Sequence, residues 1–279
     1  MSTSPKLNLG CGRRFHPDWH NLDFTPLVEG VIVHNLTEPL PYSSDSVAAC
    51  HTAHVLGHFR NEQAEAFLRE QLRVLKPGGI ARFAVPDLQQ VVHEYRELIG
   101  PLCEGDYSRA ADYEWNQIEL YDQVARSFYG GKMAKFLSQD PVPNRDYVIA
   151  RVGEEGKALM DNPHDGSIVQ TKLNLSHLGY YFQKARLKFT RGVVRVLAGK
   201  EAANAFREGC FRQFSGEVQW RVYDQYSLTR DLTALGFTDV RKCHHDESRI
   251  PNFKEACFDS DEQGVERKPE SLYLEATKP

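Results

Sequence analysis

Leu7-Asn8-Leu9-Gly10-Cys11-Gly12 lies near the start of the chain, and its reading decides the fold. A short apolar strand running straight into two glycines makes a backbone turn against which a ligand can lie closely. Working outward, Trp19 to Phe24 is a second candidate strand, reaching Asp23 near its end; Val31 to His34 is a third and Val47 to His51 a fourth. Pro39 and Pro41 mark an ordered loop between the last two. Asn61 then caps a helix whose apolar residues Ala64, Phe67, Leu68, Leu72 and Leu75 recur at steps of three and four. Lys76-Pro77-Gly78-Gly79 stops it, Ile80 to Val85 is a fifth strand, and a further helix follows Pro86 to about Leu98. Strands alternating with helices predict an α/β fold, a doubly wound parallel sheet with helices on both faces.

The alternation stops near Gly100. Residues 100–216 look mostly helical, with irregular stretches around Asp140–Asn144 and Asn162–Gly166. It resumes near Glu217. Ser227 can cap a helix carrying Leu228, Leu232 and Leu235 with Gly236 as its stop, Phe237 to Lys242 is a strand, and Leu272, Leu274 and Ala276 alternate in a last one. Residues 1–99 and 217–279 therefore read as one doubly wound core, and 100–216 as a helical insertion, a substrate cap. The 279 residues are 41% apolar, enough for a real core. A net charge of −4 argues against a dedicated nucleic-acid binder. No apolar run approaches the roughly 18 residues of a membrane span, and the first residues lack a signal-peptide core. Six cysteines, at 11, 50, 103, 210, 243 and 257, include no Cys-x-x-Cys pair. They read as reduced thiols of a cytoplasmic protein rather than a disulfide framework or a zinc site.

The glycine turn does not fit a dinucleotide fingerprint. That motif needs a third glycine where Phe15 stands, and an acid about 20 residues on, whereas Asp23 comes earlier. An acid ending the second strand can still accept two ribose hydroxyls. Leu7-Asn-Leu-Gly-Cys-Gly12, Trp19-x-Asn21-x-Asp23, Leu40-Pro41-Tyr42, His54-Val-Leu-Gly-His58, Arg73-Val-Leu-Lys-Pro-Gly-Gly79 and Val85-Pro-Asp87-Leu together resemble class I S-adenosylmethionine (SAM)-dependent methyltransferases. They are most similar to a subgroup often found with polysaccharide and secondary-metabolite biosynthesis. Later stretches fit the same subgroup: Glu119-Leu-Tyr121-Asp122-Gln123-x-x-Arg126, Tyr223-Asp224-x-Tyr226-Ser227, Glu247-Ser248-Arg249 and Lys268-Pro269-x-Ser271.

The resemblance implies a seven-stranded sheet of order 3-2-1-4-5-7-6 with the seventh strand antiparallel. It implies SAM as cofactor and S-adenosylhomocysteine as product. Gly10, Cys11 and Gly12 would cradle the methionine portion and Asp23 the ribose, with Asn35, Leu36 and His51 completing the cofactor site. His58, Tyr121, Arg126, Tyr223, Arg249 and Lys268 would meet the acceptor, a small polar sugar, glycan or secondary metabolite. Three positions depart from the subgroup: Asn35 replaces an Asp, Gly57 a Glu, and Gln219 stands where a His is usual. These departures keep two alternatives open, a SAM-fold binding or scaffold protein without methyl transfer, and a SAM-fold cyclase or lyase.

Methyl transfer is an in-line displacement, so holding the acceptor close supplies much of the rate, and an oxygen or amine acceptor gains from a base. Histidine suits that role near neutral pH. His54 follows the fourth strand at the carboxyl edge of the sheet and is the candidate base; on a helical turn it would share a face with His58. A metalloprotease pair would need Glu where Val55 stands, so no metal is expected. Glu119, Asp122, Gln123 and Arg126 share one helix face, with Asp122 a second candidate base. His164 and His177 could swing over the site. Lys184 to Lys200 carries six basic residues and no acid among apolar ones, the pattern of a basic amphipathic helix that can lie on a membrane surface, although a solvated face is the commoner reading.

Overall fold

The computed structural model describes residues 4–162 and 178–279. His164 and His177 lie outside the described residues. One sheet holds β1 (Lys6–Leu9), β2 (His20–Asp23), β3 (Ile32–Val33), β4 (Val47–Ala53), β5 (Leu75–Pro86), β6 (Thr238–Cys243) and β7 (Ser271–Thr277), in the order β3-β2-β1-β4-β5-β7-β6. The first five run parallel, and β7 is antiparallel to both β5 and β6. This is the expected seven-stranded order. The chain changes direction across the sheet between β1 and β4, and their carboxyl ends flank the crevice where such sheets bind ligands.

On one face the strands bury Leu7, Leu9, Leu22, Cys50, Phe83 and Leu274 against α1 (Asn61–Val74) and α7 (Gln225–Leu235), which contribute Phe67, Leu68, Leu228 and Leu232. The cap of α7 is Asp224 rather than Ser227. Its carboxylate accepts from the Ser227 amide at 2.7 Å, and the Ser227 hydroxyl accepts from the Asp224 amide at 3.1 Å. Ser227 is thus the third residue of a reciprocal capping box.

The opposite face is not built as the alternation predicts. The β1–β2 and β2–β3 connections, residues 10–19 and 24–31, contain no helix. They are shorter than the dozen or more residues that a helical crossover takes. Their face is covered by the β6–β7 connection, residues 244–270, which packs Ile250, Phe253, Ala256 and Phe258 on Trp19, Ala49 and Ile80. The stop after α1 also differs in form. Leu75 pairs with Val47 and Ile80 with Ala49, so residues 76–79 bulge from β5, with Gly78 at φ 77°.

α2 (Leu88–Cys103) leads from β5 into α3 (Ala110–Ala125), α4 (Gly131–Leu137), α5 (Arg145–Asp161) and α6 (Leu178–Phe214). Trp115, Leu137, Val142, Val148, Val152 and Met160 form a separate core there. No helix among the described residues is long and apolar enough to cross a membrane.

On the sheet face under residues 244–270, the register aligns Asn21, Asn8, His51, Arg82 and Glu275 on five neighbouring strands, and all five are buried. Arg82 is fully buried and all its donors are engaged. Nε donates to Asp259 Oδ2 at 2.6 Å, Nη1 to Glu247 O at 2.7 Å, Glu275 Oε1 at 3.1 Å and Cys243 Sγ at 3.0 Å, and Nη2 to His244 O at 3.0 Å and His245 O at 3.2 Å. Replacing Arg82 with Met leaves Asp259 and Glu275 charged, buried and short of their partner. We expect a loss of about 3–5 kcal/mol in urea unfolding near neutral pH. Arg82→Lys should recover little of it, since an ammonium cannot reproduce the planar fork. Wild-type stability in Arg82→Met would contradict this account.

Candidate active site

A cavity of about 580 Å³ opens at the carboxyl ends of β1 and β4. The glycine turn supplies Gly10, Cys11 and Gly12 to its wall, the end of β4 supplies His51, Ala53 and His54, and the β6–β7 connection supplies Phe258, Asp259, Arg267, Lys268 and Ser271. Gly10 has φ 75°, and a Cβ on it would lie 2.2 Å from a Val55 methyl, so only glycine fits. At Gly12, φ 53°, a Cβ would meet nothing within 4 Å. The Gly12 amide donates to Asp23 Oδ2 at 2.9 Å, and the Thr25 amide to Asp23 Oδ1 at 2.9 Å. A carboxylate accepts about four hydrogen bonds, so half-buried Asp23 keeps lone pairs for a ligand.

His54 follows β4 in the left-handed region at φ 54°, rare for a residue with a Cβ and frequent where side chains are aimed for function. Its amide donates to Ala84 O at 2.8 Å, and its Nε2 lies 2.8 Å from Ser271 Oγ. Burial, then the nearby charges of Lys268 and His58, push its pKa well below the usual histidine value, so the ring is neutral near pH 7. Its Nδ1 has no partner among the described residues. His54 does not share a face with His58: Leu56–His58 is a 3-10 turn, and His58 Nδ1 approaches Val218 O at 3.3 Å.

His51 Nε2 lies 2.9 Å from Asp259 Oδ1 and Nδ1 3.2 Å from Asn8 Oδ1, and the ring stacks on Phe258 with centroids 4.8 Å apart. Asn8 is oriented by its own amide, which donates to Arg14 O and Asn21 Oδ1. An oxygen thus stands at each ring nitrogen of His51. Burial opposes charge on Asp259, but His51 and Arg82 outweigh it and hold the carboxyl below its ordinary range.

The helical region reaches the same cavity. Glu155 of α5 pairs with Lys268 at 3.1 Å and Arg14 at 3.6 Å, and Ala158, Leu159 and Asn162 line the wall beside it. α5 breaks at Gly153, φ 63°, where a Cβ would stand 2.3 Å from Arg267 O. The break lets the helix lie directly on the β6–β7 connection.

Several expected site residues do not line this cavity. Asn35 forms an Asx turn, its Oδ1 taking the Thr37 amide at 3.1 Å and hydroxyl at 2.8 Å and its amide reaching Glu38; Leu36 is buried in the core. Asp122 is committed to structure: it accepts from the Lys132 and Met133 amides at the start of α4 and pairs with Arg126 at 2.9 Å, while Arg126 also pairs with Glu217. Tyr121, Asp122 and Arg126 border a separate depression with Phe128 and Lys132. Tyr223 is 1% exposed in the core between the sheet and α7. Arg249 is spent on Glu275, Asp239 and Thr277. Thus Gly10, Cys11, Gly12, His51, His54 and Lys268 converge, with Asp23 bonded to the turn, and the others do not. Arg82, Glu155 and Asp259 were not among the expected site residues, and Ser271 was quoted only within a motif. A charged residue inside a predicted central strand was a usable signal for Arg82; Asp259 lies in a segment without periodicity.

Residues 7–83 match the family described as "Methyltransferase domain". No curated protein matches the sequence. Solved structures similar over most of the chain include a complex of the Haloferax volcanii Trm112 methyltransferase activator, at 12% identity over 99% of this chain and 83% of that one, TM-score 0.39. A SAM-dependent methyltransferase from Thermotoga maritima is similar at 10% identity over 100% and 84%, TM-score 0.37. Another from Archaeoglobus fulgidus is similar at 10% over 98% and 86%, TM-score 0.38. The matched segment spans β1 to most of β5 and includes the glycine turn, Asp23 and His54. The residues fit SAM: Gly12 leaves space where a side chain would stand, Asp23 keeps acceptor capacity, and the cavity is of small-molecule size.

Next to Ser271, Glu270 turns away into a space of about 20 Å³ among Glu119, Gln123 and Gln219. Its Oε2 is buried and unpartnered. Burial raises its pKa from 4.5 to about 7, against the pull of Lys268 and with a push from Glu119 and Glu155. The folded state thus holds this proton to higher pH than the unfolded state. Stability from the neutral acid is complete below about pH 4.5 and is lost as pH rises through about 7. Glu270→Gln removes that loss. The variant should gain about 1–3 kcal/mol on wild type between pH 5 and 8. Parallel pH–stability curves for the two proteins would refute the assignment.

Proposed function

We propose that this chain transfers the methyl group of SAM to a hydroxyl or amine of a small polar acceptor, a sugar, glycan or secondary metabolite. In this reading residues 1–99 and 217–279 are the catalytic core and 100–216 the cap over the acceptor. One observation carries it: His54, with an open ring nitrogen, faces the cavity whose wall is the glycine turn. α5 of the cap forms another wall of that cavity.

SAM, when bound, supplies a methyl on a cationic sulfur, which needs little activation. Gly10, Cys11 and Gly12 would hold its amino-acid end and Asp23 its ribose, while His51, fixed by Asn8 and Asp259, supports the cavity floor. The chain's remaining task is to position the acceptor and receive its proton. Ser271 orients His54: with Nε2–H donated to Ser271 Oγ, Nδ1 carries the lone pair that takes the acceptor proton. Lys268, beside His54, stabilises negative charge developing on the acceptor. Asp122 has no part in this step, because its oxygens are already engaged.

A second reading, SAM-fold binding without methyl transfer, is favoured by Asn35, whose side chain is turned into its own loop. The two differ in product. Calorimetry with S-adenosylhomocysteine should give binding that Asp23→Ala weakens more than about tenfold. Mass spectrometry on a panel of sugars, sugar nucleotides and phenolic metabolites with SAM should find one acceptor gaining a methylene unit. His54→Ala should keep cofactor binding and slow turnover about 100-fold. Cofactor binding with no product favours the second reading, an isomer of unchanged mass a cyclase, and no heat at millimolar ligand ends the SAM reading.

A further inference from the structure

α6 is two helices joined at Gly199, φ 87°, and they differ in their surroundings. The second half is anchored to the body. Ala203 is 1% exposed, Phe211 packs edge-on against Tyr129, and Arg212 donates to Val124 O at 3.2 Å. The described side chains of the first half make no such contacts. Its exposed side chains include Phe182 at 78%, Phe189 at 73%, Val196 at 85% and Leu197 at 80%. At 3.6 residues per turn, Phe182, Phe189, Val193 and Val196 fall within about 60° of one another, with Leu197 at their edge. Lys188, Arg191 and Arg195 fall within about 60° on the far side, and all three are exposed. Arg186 falls between Val193 and Leu197, on the apolar side. None of these four cations has an acidic partner among the described residues, and the sequence from Lys184 to Lys200 contains no acid.

We propose that residues 182–198 lie flat on an anionic lipid bilayer, the aromatic and aliphatic side buried at the headgroup boundary and the basic side chains reaching the lipid phosphates. A helix with large apolar residues clustered on one side, basic residues clustered on the other and no acid has the composition of interfacial helices. Long basic side chains can bury their stems and keep their charges among the headgroups. Charge selects this occupant over a second copy of the chain. Two such helices packed apolar side to apolar side would bring together cations with no acid to offset them, whereas an anionic surface attracts every one. Gly199 lets this half lie at an angle set by the surface while the second half stays docked. The inference is independent of the methyl-transfer reading, since none of these residues lines the cavity.

The test is flotation of the full chain with vesicles of phosphatidylcholine alone or mixed with phosphatidylglycerol. The chain should float with the anionic vesicles at least about tenfold more than with the neutral ones, and salt should release it. Phe189→Glu with Val196→Glu, at exposed positions that leave the fold intact by circular dichroism, should abolish flotation. Arg191→Glu with Arg195→Glu should abolish the preference for anionic lipid. No flotation of the wild type, or flotation unchanged by both pairs, overturns the proposal. So does self-association in the absence of lipid that Phe189→Glu with Val196→Glu removes, which would assign the face to a second copy.

Discussion

A single guanidinium holds the active-site side of this sheet together. Arg82 lies in the middle of β5 with none of its surface exposed, and its partners come from the end of β6, the β6–β7 connection and β7. Taking a charge of that size out of water costs several kcal/mol, offset only when the partners are complete and well placed. The segment carrying those partners has no regular structure beyond a 3-10 turn at Lys254–Ala256 and a single bridge from Ser260 to Glu266. Its conformation over the sheet therefore depends on the arginine more than on backbone pairing. Phe253 lies under the guanidinium at 4.6 Å, so the same segment closes the polar centre with an aromatic face.

The consequence reaches the cavity in two steps. Arg82 fixes Asp259, and Asp259 fixes His51, which leans on Asn8 of β1 just before the glycine turn. The segment that Arg82 holds down also ends in Lys268 and Ser271, the neighbours of His54. The cavity floor and the partner of the candidate base are thus positioned by one buried network. Preorganisation of this kind is what an enzyme needs when proximity supplies most of the rate. It also explains a side of the sheet with little helix. A helical layer would bury an apolar stripe, whereas a row of Asn, His, Arg and Glu needs a covering segment with free carbonyls and a carboxylate to offer.

The sheet and the glycine turn were legible because they rest on local rules, and the strand order came with the resemblance. Short strand-like runs placed β4 and β5, alternation placed β7, and the Gly10-Cys11-Gly12 turn marked the crevice beside them. The cover of the second face was not legible, since residues 244–270 have no period to read and their packing is decided by a charge more than a hundred residues earlier. The dense polar face of α3 misled for the opposite reason. Glu119, Asp122 and Arg126 have the right spacing for a binding wall, but the carboxylates turn out to satisfy Arg151, Arg126 and the orphan amides that start α4. Spacing on one helix shows which side chains share a face, and only the neighbouring element shows whether their valences are already taken. Asn35 carries the same lesson at short range, because Asn competes for nearby backbone amides and its side chain closes on Thr37.

Two of the three positions at which the sequence departs from the pattern it resembles are, in space, a single one. Gly57 accepts from the Trp220 amide at 2.8 Å, and a Cβ on it would stand 3.0 Å from Arg221 O and 3.3 Å from Gln219 Oε1. A glutamate at 57 would press its stem on that carbonyl and turn a charge toward the amide oxygen of Gln219, so the small residue and the large one belong together. Gln219 in turn bonds Gln123 of α3 through both main chain and side chain. The paired change therefore seals the contact between the turn after β4 and the helical region, on the side of Glu270. It leaves the glycine turn, Asp23 and the open nitrogen of His54 untouched. Of the three departures only Asn35 lies after β3, and its side chain is turned into its own loop, with the cavity and its glycine turn left intact.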